Sequence, residues 1–245
     1  GIALAINTKA GYQTMMLLDA ATFIVASLVF RRLPFVEPTV EKGEPLSFMA
    51  LKDRRFLGVT ALNGIMSLHF VLQNVAIPLW VVQETNAPRW WVSVIMLVNT
   101  IGVILFQVRV SRGSGDIQVG AKQVQRAGFA VAVACVLYAL SAGVNTLIAC
   151  ALLIAAMMVH VYGELVGSSG SWSIGFGMAD EKHQGQYQGV WSLSWGLGGT
   201  LGPAFVTLMA ITLGQKGWVI MALMFLINGI LMHRLVTRSW LSTPA

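Results

Sequence analysis

The chain has 245 residues, of which 56% are hydrophobic and only 11% are charged. Soluble domains carry about 25% charged residues, so this composition excludes an ordinary soluble protein. The net charge of +6 does not indicate a nucleic-acid-binding surface, because the basic residues lie between long apolar runs and are not clustered on a soluble face. We therefore expect a membrane protein with no nucleic-acid partner.

Seven apolar runs are long enough to cross a bilayer, for which a helix needs about 20 residues. Only helices and closed barrels satisfy their backbone groups in lipid, and continuous apolar runs of this length are typical of helices. The prediction is an all-α, polytopic membrane helix bundle. Its spans are Tyr12–Phe30, Phe56–Val82, Trp90–Val110, Ala127–Gly143, Thr146–Val166, Tyr187–Thr212 and Trp218–His233.

The connections between the spans differ in positive charge. Thirteen of the sixteen Lys and Arg residues fall on one side of the predicted bundle, and only Lys9, Arg89 and Lys216 fall on the other. Cytoplasmic loops carry the positive excess, so this pattern predicts a multi-pass protein of the cell (inner or plasma) membrane. Its N-terminus is expected outside and its C-terminus in the cytoplasm.

Three stretches of the sequence are similar to segments of one transporter family. They are residues 77–112 (IPLWVVQETNAPRWWVSVIMLVNTIGVILFQVRVSR), 185–205 (GQYQGVWSLSWGLGGTLGPAF) and 17–34 (LLDAATFIVASLVFRRLP). The first resembles the seventh and eighth spans of the major facilitator superfamily, and the second resembles its eleventh span. The third resembles its sixth span and the entry to its central loop. Within that family, the closest resemblance is to bacterial multidrug-efflux members.

The resemblance implies the C-terminal six-helix half of a major facilitator fold with one preceding span. Residues 1–30 would be the end of span five and span six of the N-terminal half, residues 31–55 the cytoplasmic central loop, and residues 56–245 the C-terminal transmembrane domain. The apolar stump at residues 1–6 and a weak repeat between residues 11–32 and 217–234 agree with this reading. The chain is therefore expected to be a fragment whose partner is the missing N-terminal half.

Two cytoplasmic loops depart from the family pattern. The Arg-Gly-Arg-Tyr that often precedes span eleven is Gln184-Gly185-Gln186-Tyr187 here, which removes two cations. Residues 111–126 are expected to form a degenerate version of the family's Gly-Asp-Arg-Gly loop. We therefore expect the gating contacts of these loops to differ from those of the family.

Glu164 is a carboxylate well inside a span, and it forms a polar stripe with His160 and Ser168 at i, i+4 and i+8. An ionised carboxylate in hydrocarbon costs several kcal/mol, so Glu164 is expected to face the bundle interior or water, or to be protonated. This predicts a proton-coupling residue, with His160 beside the cavity. The alternative is a structural role near the cytoplasmic boundary.

The second span has a broad polar side made by Asn63, His69, Gln73 and Asn74. The resemblance implies that this span lines the central cavity, so these side chains are expected to contact substrate. Hydrogen bonding between helices is the alternative. Pro78 is expected to kink the outer end of the span.

Trp191 and Trp195 form an i, i+4 aromatic pair in the sixth span. Such a pair suits the stacking of a flat or cationic drug, although packing between helices is the alternative. Close helix packing is also expected at two GxxxG pairs, which are Gly163 with Gly167 and Gly198 with Gly202.

These patterns predict a secondary transporter that exports a small, drug-like molecule by alternating access in exchange for protons. Its partners would be the substrate, protons and the lipid bilayer. No catalytic motif, Walker loop or metal-binding pattern is present, so neither an enzyme nor a cofactor is expected. A seven-helix receptor and a membrane protein without a transport role are the alternatives. A retinal protein would need a Lys in the last span, and residues 218–233 contain none.

Overall fold

The computed structural model describes residues 8–34, 48–112 and 115–241. The regular secondary structure of these residues is helical throughout, with no strand, which confirms the predicted all-α fold. The chain divides into two compact units, Gly1–Glu44 and Pro45–Ala245. Each unit is described separately below.

The first unit contains one long helix, α1, whose N-terminus is capped by the side chain of Thr8. The described residues of the second unit form a short helix, α2, and six long helices, α3 to α8. Within the described ranges, seven helices, α1 and α3 to α8, are long and apolar enough to cross a membrane, as the sequence predicted. The helices are α1 (Lys9–Phe30), α2 (Met49–Lys52), α3 (Arg54–Glu84), α4 (Trp91–Ser111), α5 (Ile117–Leu140), α6 (Thr146–Gly177), α7 (Gln184–Thr212) and α8 (Gln215–Leu241).

Helices α5, α6 and α8 extend well beyond their predicted spans, and α8 ends at Leu241 instead of His233. Helix α5 begins at Ile117 instead of Ala127, and α6 continues to Gly177 instead of ending at Val166. The predicted loop at residues 111–126 is therefore wrong, because Asp116 caps α5 by accepting a hydrogen bond from the Gln118 N–H at 2.6 Å. Hydropathy marks only the part of a helix that suits lipid, whereas backbone hydrogen bonding continues beyond it.

Helix α3 contains a π-helical turn at Leu72–Ala76, directly before Pro78. The N–H of Ile77 donates to the carbonyl oxygen of Leu72, five residues back. Proline has no N–H to donate and its ring crowds the preceding turn, so a widened turn accommodates it without ending the helix. The kink that the sequence predicted near Pro78 stays a prediction, and the π turn is the backbone feature found beside it.

Small residues allow the helices of the second unit to approach closely. Gly163 and Gly167 of α6 face Ala127 of α5, while Gly198 and Gly202 of α7 face α3. Both GxxxG pairs are therefore packing sites, as predicted. Helix α5 runs antiparallel to α6 and α8, whereas α3 and α7 run parallel to each other.

One end of the second unit is filled by large aromatic side chains. Trp80, Tyr138 and Trp218 are fully buried. The ring centroid of Trp218 lies 5.5 Å from that of Trp80 and 5.1 Å from that of Tyr138. The indole N–H of Trp80 donates to the backbone oxygen of Tyr138 at 2.9 Å and to Ser141 Oγ at 3.1 Å. This cluster joins α3, α5 and α8.

We expect Gly128→Val to destabilise the second unit. A Cβ atom at Gly128 would lie 2.5 Å from the carbonyl oxygen of Phe225 and 3.0 Å from the Cα of Gly229, so α5 and α8 would have to separate. Overpacking of this kind costs about 1–3 kcal/mol of unfolding free energy. The measurement is thermal unfolding of the purified protein in detergent.

Gly189→Val on α7 is the matched control, because a Cβ atom there meets nothing within 4 Å. It makes the same change of residue in a helix without a clash. An equal fall in the unfolding temperature of both variants would contradict the packing argument.

Candidate functional site

A polar cluster of Asn63, Ser171 and Ser194 connects three helices inside the second unit. Asn63 of α3 is only 2% exposed, and its Nδ2 donates to Ser194 Oγ of α7 at 2.8 Å. The hydroxyl of Ser171 on α6 donates to Asn63 Oδ1. Ser194 Oγ in turn donates to the backbone oxygen of Trp191 at 2.6 Å. One asparagine therefore fixes α3 to both α6 and α7.

Two histidines form a second contact between α3 and α6. His69 Nδ1 lies 3.4 Å from His160 Nε2, and both rings are buried. One N–H shared between the two nitrogens gives a hydrogen bond, whose direction depends on the tautomers. Among the described residues, neither His160 Nδ1 nor Gln73 Oε1 has a hydrogen-bond partner. Both atoms are buried, and polar atoms of this kind are commonly satisfied by internal water.

Glu164 contacts a different neighbour from His160. Its Oε2 accepts a hydrogen bond from Asn99 Nδ2 of α4 at 2.8 Å. Asn99 is buried and Glu164 is partly buried, and no ion pair involves Glu164 in the described part of the chain. The polar stripe predicted along α6 is thus divided, since His160 faces α3 whereas Glu164 faces α4.

The two tryptophans predicted as an aromatic pair occupy different environments. Trp191 is 2% exposed, and its ring lies against Gly175 and 5.8 Å from the ring of Phe56. Trp195 is 38% exposed and its ring centroid lies 5.2 Å from that of Phe70. Of the predicted site residues, those enclosed within the unit are Asn63, His69, Gln73, His160 and Trp191. Asn74 and Trp195 are exposed, and the role of all of them in substrate binding stays a prediction.

The start of α7 is tied to α3 and α6 by side-chain hydrogen bonds. The hydroxyl of Tyr187 donates to Asp53 Oδ2 at 3.3 Å, while Asp53 Oδ1 caps α3. Gln188 Nε2 donates to the carbonyl oxygen of Gly175 at 3.0 Å. The side chains of Tyr187 and Gln188 that hold the start of α7 are therefore neutral donors.

The loop between α6 and α7 has a hydrogen-bonded turn centred on Asp180. Its Oδ1 accepts from His183 Nδ1 at 2.8 Å and from the Lys182 N–H at 3.1 Å. The hydrogen bond from His183 holds the pKa of the Asp180 carboxyl below its usual value. The stabilisation is present above that usual pKa and is lost as the pH falls through the lowered one.

Three partners of the predicted site residues were missed from the sequence. Ser171 and Ser194 bind Asn63, and Asn99 binds Glu164. Asn99 was identified only as part of the family-like stretch. The sequence did contain a signal for these partners. A polar side chain inside an apolar span needs a hydrogen-bond partner, and the other spans offer few polar side chains to supply one.

A solved structure with this architecture is a POT family transporter in complex with 5-aminolevulinic acid. It superimposes with a TM-score of 0.61 over 96% of this chain, at 16% sequence identity. The chain has the helical fold of that transporter. It spans 55% of the length of the transporter chain. No protein-family model matches the sequence, and no curated protein does either.

We expect Asn63→Leu to lower the unfolding free energy by about 1–3 kcal/mol, because it removes two hydrogen bonds between helices and leaves Ser171 without its acceptor. Thermal unfolding in detergent measures the change. Asn74→Leu is the matched control on the same helix, since Asn74 is exposed and its one side-chain hydrogen bond among the described residues is to the backbone oxygen of Phe70 within α3. If both variants unfold at the same temperature, the Asn63 cluster does not hold the helices together.

Proposed function

We propose that this chain belongs to a secondary active transporter of the major facilitator type, which exports a small, drug-like molecule in exchange for protons. The fold shared with a known transporter over 96% of the chain supports a transport role. Proton coupling is supported by Glu164, an acidic residue among membrane-spanning helices. Its one hydrogen bond among the described residues comes from the neutral amide of Asn99.

The pair formed by Glu164 and Asn99 is suited to a change of protonation. Asn99 Nδ2 donates to Glu164 Oε2, a hydrogen bond that a carboxylate can accept. As a carboxylic acid, its O–H can donate to the amide oxygen of Asn99, because an amide carries both a donor and an acceptor. The contact between α4 and α6 can therefore persist in both states while the charge changes. A proton taken up from one side would be released to the other when the carrier changes conformation.

The exposed residues are the better candidates for substrate contact. Asn74 offers an amide on the exposed side of α3, and Trp195 with Phe70 offers an aromatic surface between α3 and α7. An aromatic face of this kind suits flat or cationic molecules. The enclosed residues, Asn63 and the two histidines, would position the helices that carry this surface.

The neighbour's chain is longer than this one, which agrees with a partner half that completes the carrier. The two halves would rock against each other to open the site to alternate sides of the cell membrane. We place the N-terminus of this chain outside and its C-terminus in the cytoplasm, from the distribution of Lys and Arg. The match to a transporter does not favour a seven-helix receptor, and Lys216 lies in the first turn of α8, far from its middle.

We expect Glu164→Gln to abolish proton-driven export of a cationic dye such as ethidium, measured in vesicles that carry this chain together with the proposed partner half. Glutamine keeps the size and a hydrogen bond to Asn99 but cannot bind and release a proton. Glu84→Gln is the control, because Glu84 is exposed at the end of α3. Export in the Glu164→Gln variant that still follows the proton gradient would contradict proton coupling, and no export by the unaltered two-half carrier would contradict the transport role.

A further inference from the structure

A groove on the surface of the second unit runs between α5 and α8 from a cationic end to an apolar end. The cationic section has a volume of about 440 Å³ and is lined by Gln125, Arg126, Phe129, Tyr162, Leu226 and Ile230. A second section of about 310 Å³ shares Phe129 and Leu226 with the first, and every other residue that lines it is apolar. The groove is therefore amphipathic along its length.

Arg126 is an exposed cation on a helix that crosses the membrane. From Arg126 to the end of α5 at Leu140, the helix rises about 21 Å, which is less than the hydrocarbon thickness of about 30 Å. The long side chain of an arginine can extend its guanidinium group toward the membrane surface while its apolar stem stays among the lipid chains. No ion pair of Arg126 is found within the described residues. A cation at this depth needs an anion, and the bilayer itself supplies phosphate groups.

Two further exposed cations lie near the same end of the groove. Lys122 precedes Arg126 by one turn of α5, and Arg234 follows Ile230 by one turn of α8. The two helices are antiparallel, with Gly128 against Gly229, so Lys122 and Arg234 come to the same level. The described residues provide no ion pair for either cation. Three cations, Arg126, Lys122 and Arg234, therefore lie near the same end of the groove.

We propose that this groove binds one anionic phospholipid of the bilayer. Arginine binds phosphate through a planar fork of N–H donors, so the lipid phosphate would bind Arg126. One acyl chain would follow Phe129, Val133 and Leu226. From Arg126 to Leu137, the groove covers about 16 Å of helix, a length that one extended acyl chain can follow. The site is formed mainly by α5 and α8 and does not depend on proton coupling at Glu164.

The test uses the full chain, purified in detergent and stripped of lipid. Phosphatidylglycerol is expected to raise the unfolding temperature and to remain bound in native mass spectra, whereas phosphatidylcholine or inorganic phosphate alone should do neither. Arg126→Gln is expected to weaken phosphatidylglycerol binding roughly tenfold or more, as for the loss of one charge-assisted contact. Val136→Trp, which fills the apolar section without changing the charge, should also weaken it.

Arg109→Gln is the matched control, since Arg109 is exposed near the end of α4 and does not line the groove. It should bind phosphatidylglycerol as the unaltered protein does. Unchanged binding in Arg126→Gln, equal binding of phosphatidylcholine, or an equal loss in Arg109→Gln would overturn the proposal. A temperature rise with inorganic phosphate alone would replace it with a free-anion site. None of these measurements requires transport, so the two proposals can fail independently.

Discussion

The need to satisfy polar groups without water governs the interior of this bundle. In a membrane, helices gain nothing by hiding apolar side chains from one another, because lipid is equally apolar. What distinguishes one arrangement of the helices from another is therefore close contact and hydrogen bonding. Asn63 meets this need by binding Ser171 and Ser194 at once, so a single amide specifies the relative positions of α3, α6 and α7.

Helix α6 combines both kinds of contact on different sides. Gly163 and Gly167 bring it against α5, where backbone and small side chains meet directly. His160, Glu164 and Ser171 point to α3 and α4, where the contacts are polar. The helix is therefore fixed by packing on one side and by hydrogen bonds on the other. This arrangement explains why a stretch so rich in apolar residues also carries ionisable ones.

The spans and the all-α architecture follow from the sequence because hydropathy reports directly on the preference for lipid. The ends of α5 and α6 do not follow from it, since residues such as Lys122 continue the helix beyond the apolar stretch. Periodicity placed His160 and Glu164 on one side of α6, yet it could not show that this side meets two helices. Which neighbour each side chain finds depends on how the helices cross, and that is a property of the packed unit.

The Asn63 cluster and the Glu164 pair differ in whether their hydrogen bonds depend on one fixed arrangement or can be made in two protonation states. The side chain of Asn63 uses its donor and its acceptor in contacts to two helices, so moving any of the three helices alone breaks a hydrogen bond. The contact of Glu164 with Asn99 can be made with either protonation state. A unit that moves as a rigid body needs contacts of the first kind to keep its shape. In the proton-coupled carrier proposed above, a contact of the second kind would let the charge change without loss of that shape.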